Sequence, residues 1–467
     1  AAPGSATRPT PGNPRPNRCM EPRAPSPPDL DPLRAALHPL GGSPSDYDPL
    51  LERIGDARLV LIGEASHGTH EFYRERATIT RRLITEKGFT AVALEADWPD
   101  AHRVHRFISR QGEDDEAIDA LGAFRRFPAW MWRNADVLDF IGWLRQFNEA
   151  LPPGATPVGL YGLDLYSLFA SIRAVIDYLD RVDPDAAQRA RYRYSCFDHF
   201  DDPESYGFEA ALSLTPRCRD EVLGQLAELH RLSARWTRPE GGGADEAFFS
   251  AERNARLAAS AEHYYRTLFG GPVPSWNLRD QHMAETLDAV AEHIERNGRA
   301  ARIVVWAHNS HLGDARATDM ARRGELNLGQ LVRERHGRNA VLIGLTTHHG
   351  TVTAADNWDE PARRKRVRPA LPESYEAWFH ALGTPTFLLF PEASRKVAEL
   401  LRTPRLERAI GVVYRPATER TSHYFQVRLA DQFDAVVHFD ETRAVEPLDR
   451  TIAWELGAAK ETFPYGV

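Results

Sequence analysis

The chain has 467 residues, 42% hydrophobic and 27% charged, a composition that allows two or three folded domains and excludes a fibre or a disordered chain. Its 58 basic and 66 acidic residues leave a net charge of −8, which disfavours non-specific attraction to nucleic acid or anionic membranes. No stretch approaches the roughly 18 apolar residues of a membrane helix. Cys19, Cys196 and Cys218 cannot form an even disulfide framework and show no CxxC spacing, so the cytoplasm is the expected location and a small molecule the expected partner.

Residues 1–40 hold 11 of the 33 prolines and no Val, Ile, Phe, Tyr or Trp, so residues 1–44 read as a Pro-rich disordered tail. Short apolar runs then alternate with helical patterns. The runs are Leu59–Ile62, Ala91–Leu94, Val158–Tyr161, Ile303–Trp306, Val341–Leu345, Phe387–Phe390, Ile410–Tyr414 and Val436–Phe439. Near-continuous apolar strands separated by helices predict an α/β fold, with a largely parallel central sheet flanked by helices and buried on both faces. Between residues 165 and 300 only helical spacing remains, as in Leu168, Ile172, Val175 and Leu179, or Met283, Leu287, Val290 and Ile294. The organisation expected is therefore a first part of the core at 45–165, a helical insertion at 166–300 and a second part of the core at 301–467. Gly241, Gly242 and Gly243 mark a mobile connection inside the insertion.

The chemistry gathers after four of these strands. Gly63-Glu64-Ala65-Ser66-His67-Gly68 follows the first, Glu95-Ala96-Asp97-Trp98 the second, Gly162-Leu163-Asp164 ends the third, and His308-Asn309-Ser310-His311 follows the fourth. Because ligands of open parallel sheets sit at the carboxyl ends of the strands, Glu64, His67, Glu95, Asp164, His308 and His311 are expected along one edge. Phe72, Arg76, Ile79 and Leu83 share one helical face, so Arg76 is expected to be buried with Glu64 or Glu95 as partner. Ser66 is not a nucleophile-elbow serine, since position 64 carries Glu where that turn requires Gly, and it reads as a helix cap. A water activated by a base is then the natural mechanism. The quartet His67, Glu64, Glu95 and His308 also suits a divalent ion, so a metal-dependent hydrolase or phosphoryl-transfer enzyme stands as an alternative, as does a binding protein that catalyses nothing. Arg279 and Asp280 read either as crevice residues or as a surface ion pair, Trp130 and Trp132 as core, His102 and His105 as partly exposed, and the run Arg363-Arg364-Lys365-Arg366 as a solvated loop.

Together with Trp130-Met131-Trp132-Arg133-Asn134, these ordered motifs resemble the erythromycin esterase family over about residues 45 to 450. The resemblance implies an α/β core with a helical subdomain and a small α+β portion towards the C-terminus. It also implies hydrolysis of a cyclic or linear ester, a macrolide among them, with no covalent intermediate and no cofactor. In that likeness His67 matches the base that activates water, and Glu64, Arg76, Glu95 and His308 match the polar groups around the reacting ester. Arg76 and His308 are expected at the oxyanion, with His311, Asp164, Trp98, Arg279 and Trp132 as substrate contacts. The helical insertion is expected to form one wall of the crevice.

Overall fold

Alternating side chains of the predicted strands enter two different cores. In the computed structural model, which describes residues 29–214, 218–236 and 243–455, Leu59, Leu61, Ala91, Ala93, Ile303 and Val305 pack on one face of the sheet. Val60, Ile62, Val92, Leu94, Val304 and Trp306 pack on the other. The period of two, with both sets apolar, is what buries a strand on both sides.

The strands in chain order are β1 (Leu37–Pro39), β2 (Leu59–Ile62), β3 (Ala91–Asp97), β4 (Gly159–Asp164), β5 (Ile303–Trp306), β6 (Ala340–Ala354), β7 (Arg363–Val367), β8 (Thr386–Leu389), β9 (Arg405–Arg408), β10 (Tyr424–Val427) and β11 (Ala435–Thr442). Nine form one sheet in the order β1-β8-β11-β6-β2-β5-β3-β4, with β7 paired to β6, and β9 and β10 form a separate antiparallel pair. All contacts from β11 through β4 are parallel. β5 inserts between β2 and β3, and β6 crosses to the other side of β2, so the strand order changes direction around β2. Such a reversal opens a crevice at the carboxyl ends.

Helix α1 (His70–Lys87) follows β2 and α2 (Trp98–Ile108) follows β3. Among the described residues six α-helices lie between β4 and β5; the last of them, α3 (Pro272–Arg296), leads into β5. α4 (Tyr375–Ala381) packs on β6 and β11.

Several expectations change. Residues 1–28, with Cys19, lie outside the described residues, as do Gly241 and Gly242, while Gly243 opens a helix. The rest of the expected tail is ordered, because β1 adds to the sheet edge against β8. Ile410–Tyr414 is no strand. It crosses the strand ends instead of running beside a neighbour, and touches the sheet side through single bridges, Ile410 to Ser66 and Val413 to Ala355. The basic run forms β7, antiparallel to β6, with Lys365 turned inward to Asp356 and the Tyr414 carbonyl. Cys196 and Cys218, 22 residues apart, are joined by a disulfide with Cα atoms 6.0 Å apart.

One buried carboxyl ties the small sheet to the large one. The Glu407 oxygens accept from Asn309 at 3.0 Å and from Gln432 at 2.7 Å, and burial, aided by neighbouring Glu376, pushes the group up to about 8. The folded state therefore holds a proton that the unfolded chain releases near 4.5. The stability this proton linkage contributes is complete below pH 4.5 and is lost as pH rises through about 8. Denaturant unfolding across this range should show the wild type losing stability towards pH 8 relative to Glu407→Gln. Identical pH profiles for the two proteins would refute the assignment.

Candidate active site

The loop after β2 is built by two close approaches. A Cβ at position 63 would lie 2.1 Å from Asn309 Oδ1, and one at position 68 would lie 1.9 Å from the Thr353 carbonyl, so both positions need glycine. The Gly68 carbonyl accepts from Thr353 N and Val445 N at 3.0 and 2.9 Å, which anchors the loop to β6 and to the chain after β11. α1 starts only at His70, so Ser66 does not cap it; its hydroxyl pairs with that of Thr69.

Within this loop Glu64 is fully buried and bridges two groups. Its Oε1 accepts from His67 Nδ1 at 2.9 Å, and its Oε2 lies 2.9 Å from Arg76 Nη2. Arg76 is fully buried, as its place on the apolar face of α1 predicts, and its guanidinium lies over Tyr73 and Trp306 at 4.4 and 5.1 Å from the ring centroids. With Nδ1 of His67 committed to a carboxylate, its proton sits there and the Nε2 lone pair is left free.

β3 and β5 supply the facing groups. The two oxygens of Glu95 accept from Arg279 Nη2 at 2.7 Å and from the His308 backbone N–H at 2.8 Å. Burial raises Glu95, but His311 and Arg279 outweigh it and hold the carboxyl below its ordinary range. His308 lies with its ring 4.9 Å from that of His67. Burial pushes it well below the ordinary range, so it is neutral. Its Nδ1 lies 2.8 Å from Ser310 Oγ and 3.2 Å from Ser310 N; with Ser310 N donating to Nδ1, the ring proton is assigned to Nε2, a buried atom. The two rings thus carry opposite tautomers.

The opposite wall comes from α3. Arg279 makes a two-pronged contact with Asp164, Nε to Oδ1 at 2.9 Å and Nη2 to Oδ2 at 2.6 Å, and its Nη1 lies 3.1 Å from His311 Nε2. His311 contacts Asp280 through Nδ1 at 2.9 Å and stacks on Trp276 at 4.4 Å. Burial opposes protonation of His311, but Asp280 and Glu95 prevail and raise it. Arg279 is therefore a crevice residue, whereas Asp280 is fully buried behind His311 and absent from the cavity lining, and the two have separate partners.

These walls enclose a cavity of about 310 Å³ lined by His67, Glu95, Asp164, Arg279, His308, His311 and Trp132. Three expected residues are absent from its lining. Glu64 and Arg76 lie behind His67, so Arg76 cannot touch an oxyanion and acts through Glu64. Trp98 points to the other side of β3, where it stacks on Tyr161 and donates to Ser250. The quartet considered for an ion has its carboxylates engaged, Glu64 by His67 and Arg76, and Glu95 by Arg279 and His308. His105, expected to be partly exposed, is buried and accepts from Leu160 N.

Asp97, Asp100, Arg126, Trp276 and Trp358 line the cavity without having been singled out as site residues from the sequence. Alternation along β3 places Asp97 on the face of Glu95, and Trp276 lies one helical turn before Arg279; those were usable signals. Trp358 lies in a turn and offers none. Burial and the charge of Asp97 push Asp100 up to about 7.

Residues 84–442 match the sequence profile of the erythromycin esterase family. The chain belongs to that family. Among curated relatives, the erythromycin esterase type II of Escherichia coli is 25% identical over 329 residues, 66% of this chain and 73% of that protein. Two solved structures share the fold. A succinoglycan biosynthesis protein superposes with a TM-score of 0.71 at 22% identity, covering 89% of this chain and 97% of the other. A mutant of the erythromycin esterase EreC in its open conformation gives 0.59 at 17% identity, covering 87% and 96%. The erythromycin esterase profile spans Glu95, Asp164, Arg279, His308 and His311, while the loop with Glu64 and His67, and Arg76 after it, precede the matched segment.

The glycine contacts give this family member a sharp test. Gly68→Ala forces the loop away from Thr353, and overpacking of this kind costs about 1–3 kcal/mol. The denaturation midpoint should fall accordingly. A variant as stable as wild type would mean that the loop does not need this close approach.

Proposed function

We propose that the chain hydrolyses a carboxylic ester or lactone with water activated by His67, and without a covalent intermediate. Family membership and the curated erythromycin esterase relative support a hydrolase. The observation that carries the finer reading is the pair of imidazoles at His67 and His308, both lining the cavity with ring centroids 4.9 Å apart, the first with its Nδ1 held by Glu64.

In this reading His67 Nε2 takes a proton from water while the water oxygen attacks the ester carbonyl. The negative charge that develops on the carbonyl oxygen is met by the His308 ring, which lines the cavity, with the positive charge of Arg279 on the facing wall. Collapse of the tetrahedral intermediate breaks the bond to the alkoxide, which receives the proton from His67. Acid and alcohol leave, and no bond to the protein has formed. Arg76 is a positioning residue that holds Glu64 directed at His67.

The cavity volume is at the lower end of the range for drug-sized ligands, which favours a compact ester or lactone, or a macrolide whose bulk remains outside in the mouth beside Trp358. A panel of macrolides and simpler lactones should yield at least one substrate, with turnover reduced about 10²–10⁴-fold in His67→Ala. Ser66→Ala should stay near wild type, and in ¹⁸O-water the label should enter the acid in a single turnover. His67→Ala hydrolysing at the wild-type rate would overturn the reading, and so would loss of all turnover in Ser66→Ala with the fold intact.

A further inference from the structure

Outside the cavity, β6 and β11 bring a second group of histidines together. The strands are parallel with Thr347 opposite Phe439 and His349 opposite Glu441. Alternation therefore turns His348 and Asp440 side by side to the other face, in line with Thr346 and His438, whose side chains are hydrogen-bonded at 2.9 Å. α4 covers this face, with Phe379 against His438, and its penultimate residue is His380.

The result is a compact set of donors. His380 Nδ1 lies 2.7 Å from Asp440 Oδ1, and its ring stacks on that of His348 with centroids 3.9 Å apart. Nδ1 of His349 is 3.0 Å from Nδ1 of His348. One ligand atom each from His348, His380 and Asp440 lie within 4.8 Å of one another, and no other set of three His, Cys, Asp or Glu residues among the described residues does so. None of the three lines the catalytic cavity.

We propose that His348, His380 and Asp440 bind a divalent transition-metal ion of the zinc class. Two imidazole nitrogens and one carboxylate oxygen suit zinc, cobalt, nickel or copper, whereas magnesium and calcium favour oxygen throughout. Tetrahedral bonds of 2.0–2.1 Å set ligand atoms about 3.3 Å apart, so the set must tighten on binding. His380, half-exposed at the end of a short helix, has the freedom to swing inward. The fourth position falls to water or to His349. A bound ion would tie α4 to both strands, a structural function independent of ester hydrolysis.

The test is titration of the full chain, stripped of metal by chelation, with Co²⁺ and then Zn²⁺. Wild type should take up one equivalent of Co²⁺ with the visible d–d absorption of a four-coordinate site, lose the band to Zn²⁺, and melt at a higher temperature with Zn²⁺ present. Removing a ligand should weaken binding by at least the roughly 100-fold seen when supporting residues of metal sites are lost, so His380→Ala and Asp440→Asn should abolish the band at stoichiometric cobalt. The exposed His380 makes the first of these variants safe for folding, which an unchanged metal-free melting curve would verify. His67→Ala should bind as wild type does. Absence of the band at millimolar Co²⁺, its survival in both ligand variants, or its loss in His67→Ala would each overturn the proposal.

Discussion

The site depends on the ion pair between Glu64 and Arg76, both without solvent exposure. A buried pair of this kind is weak evidence for stability, but removing one partner leaves an unpaired charge and costs roughly 3–5 kcal/mol. What the pair secures is geometry. Arg76 is fixed by the apolar face of α1 and by two aromatic rings, Glu64 is fixed by Arg76, and the tautomer of His67 is fixed by Glu64. A helix packed for hydrophobic reasons thereby decides which imidazole nitrogen faces the cavity.

The other wall uses the same device with a different helix. Arg279, from the last of the six helices before β5, is held by Asp164 at the end of β4 and Glu95 in β3. The contact joins the helical segment to the strand ends through charge, and sets Trp276 and Asp280 around His311 as it does so. Glu95 links the two walls, because its second oxygen receives the backbone N–H of His308.

The sheet and one edge of the site were legible because the signals are local. An apolar run followed at once by a charged residue places that residue at a strand end, and helical spacing places Arg76 inside. What depended on a distant partner was not legible. Arg279 and Asp280 are adjacent in sequence with opposite charges, which imitates a surface pair, and only the position of α3 sends one to Asp164 and the other to His311. Ile410–Tyr414 has the composition of a strand but no neighbour to run along, and the basic run of β7 has the composition of a loop but pairs with the extended end of β6. Trp98 opens α2 directly after Asp97, and its ring turns to Tyr161 and Ser250 while Asp97 lines the cavity. The bridge between Cys196 and Cys218 rests on the packing of helices that spacing alone does not position.

The segment that crosses the strand ends gives the site an unusual order of assembly. Ile410 exchanges backbone hydrogen bonds with Ala65 and His67, Ala409, Gly411 and Val412 line the cavity, and the loop carrying His67 is also held by Val445. His67 is among the first parts of the core to be synthesised, and the backbone that closes over it is among the last. The chamber around His67 is therefore complete only when residues 64–68 and 409–412, far apart along the chain, are folded against each other.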